Sequence, residues 1–89
     1  METHVFRGAR YRIVERSNLK YDGYCDWRHA KGKKLWIKKN LKPIVRLEVM
    51  IHESLHACLP DADEHTVRET AHDIASFLYR DGWTRSSKP

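Results

Sequence analysis

Two periodicities divide the chain. From Ala9 to Glu15, ARYRIVE, large apolar residues alternate with charged ones, the period-two pattern of a half-buried strand with Tyr11 and Ile13 on one face. Asn18 to Gly23 follows with turn chemistry, notably the Asp22-Gly23 pair, and Tyr24 to Trp27 reads as a second short strand. After the polar loop RHAKGK, the segment Lys34 to Lys39, KLWIKK, is a third. From Pro43 the period becomes helical. Proline suits a first helical turn, and Ile44, Leu47, Ile51, Leu55 and Cys58 recur at steps of three and four as a core-facing stripe. Pro60 ends this helix or closely follows its end. A second helix begins near 61–63, carries Val67, Ala71, Ile74 and Leu78 on one face, and stops at Gly82. The pattern predicts an α+β domain: a small antiparallel β-sheet of about three strands, followed by a two-helix hairpin.

Length and composition narrow the setting. At 89 residues the chain makes one small domain, 1–83, with 84–89, TRSSKP, as a frayed tail. Its modest core could use a bound metal as a staple. Cys25 and Cys58 allow at most one bridge, too few for a small secreted scaffold, so a reducing cytoplasmic setting is expected. The amino-terminal METHVFRGARYRIVERS sustains no apolar run of the signal-peptide kind, and no segment is long enough to cross a bilayer. Seventeen Lys and Arg against twelve Asp and Glu give a net charge of +5, concentrated in KGKKLWIKKNLK, Lys31 to Lys42. That stretch permits a nucleic-acid or acidic-protein partner.

The candidate chemistry lies in IHESLHACLPDADEH, Ile51 to His65, which holds three of the six histidines. His52 and His56 are four residues apart, so at about 100° per residue they stand one turn apart on nearly the same side of a helix. Two imidazoles can then converge on one Zn2+ ion, and a catalytic site needs a third protein ligand with a fourth position open to water. Glu53 points about a quarter-turn away, where it can act as general base. The third ligand comes from the next helix. The stripe Val67, Ala71, Ile74 and Leu78 extends backward onto Glu64, whereas Glu69 points nearly the opposite way and His65 and His72 fall off the stripe. Glu64 also has a plainer role: with Asp61 as N-cap it would occupy the third helical position of a capping box. Glu69, His65 and the nearby aspartates remain alternative ligands.

His52-Glu53-x-x-His56 followed by a glutamate on the next helix resembles the gluzincin class of zinc metallopeptidases. The stretches KKLWIKKN, IHESLHACLPDADEHTV and FLYRDGW are similar to the very small H-E-x-x-H proteins often encoded by bacteriophages, and more distantly to ImmA/IrrE-like and SprT-like domains. The resemblance implies a minimal zincin-like fold over roughly 20–83. It implies His52, His56 and Glu64 as zinc ligands, Glu53 as general base, and a polypeptide substrate. In resembling folds the strand preceding the motif helix, here Lys34 to Lys39, is an edge that binds an extended peptide by strand addition. The alternative is an ordinary strand whose lysines protect an edge.

Other residues carry weaker signals. Tyr11, Tyr21, Tyr24 and Tyr79 each offer a hydroxyl for an oxyanion, but no spacing selects one. Cys58 falls on the apolar stripe as a buried thiol, and Cys25 is an outside candidate for a metal ligand. Asp73 could orient a ligand histidine. A rival from another class is a basic nucleic-acid or protein-binding module with a structural or vestigial zinc site, which four protein ligands would close.

Overall fold

The computed structural model describes residues 2–83; the tail at 84–89 lies outside the described residues. Four strands, β1 (Thr3–Phe6), β2 (Ala9–Arg16), β3 (Gly23–Cys25) and β4 (Lys34–Lys38), precede two helices, α1 (Pro43–Cys58) and α2 (Glu64–Arg80). The α+β class and the order of sheet, then helical hairpin, are as the periodicity predicts. The sheet differs in detail. It has four strands in the order β1-β2-β4-β3, and β2 and β4 run parallel, so it is mixed rather than antiparallel.

The extra strand, β1, forms a hairpin with β2 through the two-residue loop Arg7-Gly8, where both residues have positive φ (47° and 84°). That turn matches the twist of paired strands, and glycine adopts it without steric cost. The parallel pair follows from chain direction: β3 takes the outer position and β4 inserts between β3 and β2. Lys34–Lys38 is therefore an interior strand, and the expectation that it forms an edge is corrected; the edges are β1 and β3. Gly23 belongs to β3 rather than to a turn. A Cβ there would lie 2.5 Å from Val49 Cγ1 and 3.0 Å from Glu53 Oε2, so glycine is what lets β3 approach α1.

The core sits between the sheet and α1. Ala9, Tyr11, Leu35, Ile37 and Ala57 form its buried cluster, with Val49 and Met50 packed on it. Thus α1 turns Val49, Met50, Glu53 and Ala57 to the sheet. The stripe Ile44, Leu47, Ile51, Leu55 and Cys58 falls on the opposite side of the helix, where α2 packs, and Cys58 is half-buried rather than fully buried. In α2 the buried residues are Val67, Ala71 and Ala75; Ile74 is exposed and Leu78 half-buried, because the α1–α2 contact follows the small alanine positions.

Candidate metal centre

His52 and His56 arise from helical spacing on α1, and their rings meet edge to face with Nε2 atoms 3.2 Å apart. The chain returns through a tight linker: Leu59 N–H donates to Leu55 O and Ala62 N–H to Leu59 O. Asp63, not Asp61, caps α2 by accepting from Thr66 N–H at 3.1 Å. Glu64 is therefore the first helical residue rather than the third, and the capping-box alternative for it does not hold. Its two carboxylate oxygens instead reach the histidines: Oε1 lies 2.9 Å from His56 Nε2, and Oε2 lies 3.2 Å from His52 Nε2.

Among the described residues, the group of side chains that could hold a metal ion is His52, His56 and Glu64. Donors about 2.1 Å from a tetrahedral ion stand about 3.4 Å from one another. The three separations here, 2.9–3.2 Å, are close to that edge length. Two imidazole nitrogens and a carboxylate at these distances are rich in lone pairs, which a cation at their centre would satisfy.

Glu53 of α1, only 7% exposed, packs its side chain toward Gly23 of β3 and lines the same cavity as this group. Burial, reinforced by the nearby negative charge of Glu64, pushes its carboxyl up to about 7. Burial also lowers the pKa of His52, with the Glu64 carboxylate opposing the shift. A cavity of about 740 Å³ opens in front, lined by His52, Glu53, His56, Glu64 and, from the facing edge, residues 21–28. A carboxyl raised toward neutrality therefore shares one cavity with three side chains that could hold a cation.

The remaining candidates fall elsewhere. His65 and Glu69 pair with each other at 3.3 Å on an exposed face of α2, and Asp73 is exposed on the same helix. His72 pairs with Glu48 of α1 at 3.2 Å. Cys25 lines the cavity but is not in the ligand group, and burial pushes its thiol up to about 11, away from the thiolate a metal needs. Tyr11 is fully buried and donates to Asp26 O at 3.0 Å, a packing role. Tyr21 and Tyr24 border the cavity; Tyr79 is exposed on α2.

Arg28 carried no signal in the sequence. Its guanidinium donates to Ala57 O at the end of α1 (2.9 Å) and to Arg7 O in the β1–β2 turn (2.6 Å), tying the end of the motif helix to the sheet. Arg7 adds a second tie by donating to Cys58 O at 2.9 Å. These are contacts across 21 to 51 residues of sequence, which no local window contains.

No family model, curated protein or solved structure matches the chain.

Proposed function

We propose that the protein is a zinc-dependent metallopeptidase. The observation that carries this reading is the convergence of His52 Nε2, His56 Nε2 and the Glu64 carboxylate from two helices, with the buried Glu53 beside them. The described residues converge as three ligands, the number that leaves a position open, whereas a structural site takes four. A bound zinc ion would acidify water and polarise a substrate carbonyl. His52, His56 and Glu64 would hold the ion. Glu53 accepts a proton from the attacking water and returns it to the leaving amine nitrogen, a role its near-neutral carboxyl fits. The resemblance to small gluzincins points the same way, and the free edge of β3 along the cavity suits an extended peptide.

The test pairs metal content with turnover. The wild type should bind one zinc, His56→Ala and Glu64→Ala should lose it, and Glu53→Gln should keep it. Gln retains size and hydrogen bonding but accepts no proton at neutral pH, so hydrolysis of a quenched-fluorescence peptide library should fall at least about a hundredfold. A wild type that binds no zinc on titration refutes the metal site; full zinc with no cleavage anywhere in the library refutes the peptidase.

A further inference from the structure

The outer face of the sheet carries a second pattern, which adjoins the cavity of the candidate metal centre at Tyr21 and Tyr24. In β4, Leu35 and Ile37 are buried toward α1, so Lys34, Trp36 and Lys38 face the other way. The strand register aligns each with neighbours on that face: Arg12 with Lys34, Val14 with Trp36, Arg16 with Lys38, and Tyr24 with Trp36 from the other side. An apolar and aromatic row, Val14, Trp36 and Tyr24, therefore lies between two cationic rows, Arg12 with Lys34 and Arg16 with Lys38. Same-face rows are about 7 Å apart along a strand, and neighbours in a row about 4.8 Å apart.

The cations and the aromatic row are in contact. The Arg16 guanidinium stands 5.3 Å and the Lys34 ammonium 5.8 Å from the Trp36 ring. Tyr24 is 55% exposed, and next to it Tyr21, 61% exposed, has Lys20 Nζ 5.4 Å from its ring. Tyr21, Tyr24 and Trp36 share a depression of about 280 Å³ on this side; Asp26 also lines it, its carboxylate accepting from the Lys34 backbone N–H at 2.8 Å. Among the described strand residues the one acidic side chain, Glu15, is on the inner face, bonded to Arg46 of α1 at 3.0 Å. The helix packed on the sheet, α1, lies on the inner face too.

We propose that this outer face binds single-stranded nucleic acid, with phosphates along the cationic rows and bases stacked on Trp36 and Tyr24. A cationic surface alone suits any polyanion. Aromatic rings set among the cations match a chain whose anionic backbone carries flat bases: the exposed Tyr24 ring is open for stacking, and half-buried Trp36, with Arg16 and Lys34 over its ring, adds its face when those cations move to phosphates. The basic stretch Lys31–Lys42 is thus only part of the surface, because β2 supplies Arg12 and Arg16 from a different region of the sequence.

Fluorescence anisotropy of the full chain with labelled oligo-dT and oligo-U, about 20 nucleotides long, tests this. Binding should weaken steeply with salt, the logarithmic slope being about −0.7 per phosphate neutralised. The exposed pair Arg12→Glu and Arg16→Glu, with folding checked by circular dichroism, should weaken binding at least about tenfold and flatten that slope. Tyr24→Ala should weaken it about fivefold or more with the slope retained, since it removes stacking rather than charge. No binding at low salt, or full binding by the double Glu variant, overturns the proposal. So does equal or tighter binding to a duplex of the same length, to poly-glutamate or to phosphatidylserine vesicles, or indifference to Tyr24→Ala.

Discussion

The two faces of β4 divide the molecule's chemistry. On the inner face Leu35 and Ile37 join Tyr11 in the core, with Ile37 and Tyr11 fully buried. On the outer face Lys34, Trp36 and Lys38 lie beside residues of β2 and β3, and Trp36 shares a depression with Leu19 and Tyr21 of the segment before β3. One alternating strand thus commits every second residue to packing and leaves the others to surface chemistry. A sheet covered on one side has a thin core, so a few inner-face side chains carry much of its stability. The candidate metal centre lies where that inner face runs out, at the edge formed by β3, so Glu53 is buried while His52, His56 and Glu64 open onto the cavity.

The sharpest way to break this comparison is Ile37→Ala against Lys38→Ala. The first should cost about 2–5 kcal/mol by leaving a cavity in the core, and the second should stay within about 0.5 kcal/mol. Urea denaturation reads both, and similar losses would mean that the outer face is packed as well. Next in size, on the proposed zinc reading, is metal removal. Zinc at a hundred times its dissociation constant stabilises the folded state by about 2.7 kcal/mol. Chelation should lower Tm accordingly, and Glu64→Ala should have lost that chelator-sensitive part already. A Tm indifferent to chelator in the zinc-loaded wild type would show that the ion does not staple α1 to α2.

Gly23→Ala sharpens the boundary between the faces. Its Cβ would meet Val49 Cγ1 at 2.5 Å, so β3 must move from α1, at a cost of about 1–3 kcal/mol. Because Glu53 abuts the same glycine, peptide hydrolysis should fall with zinc content unchanged; unaltered stability and turnover would show that β3 shifts freely.

The smallest expected effect is at the exposed cap of α2. Hydrogen bonds from Thr66 hold the Asp63 carboxyl below its ordinary value of 3.8, so its contribution is present above that pH and lost as pH falls through the folded value. Asp63→Ala should lower Tm by a few degrees at pH 7, and the gap to wild type should close under more acidic conditions. A gap that widens with acid would reverse the sign of the linkage.

Local periodicity made the secondary structure largely legible. Alternation along 9–15 and 34–39, and three- and four-residue steps after Pro43, identified β2, β4, α1 and α2, because each signal is a property of a single element. His52, Glu53 and His56 were legible for the same reason, since one helix turn fixes their relative direction. Glu64 was reached by extending the α2 stripe backward, although Ile74 on that stripe proved exposed. Partner choice was not legible. That β1 pairs with β2, that β4 lies inside the sheet and parallel to β2, and that Gly23 and Arg28 clamp the ends of the site all depend on contacts between distant segments. Periodicity states which side of an element is apolar, but not which element covers it. The tertiary structure alone brought β2's arginines beside β4's tryptophan and seated Glu64 across two histidines, because both require the chain to return from elsewhere in the sequence.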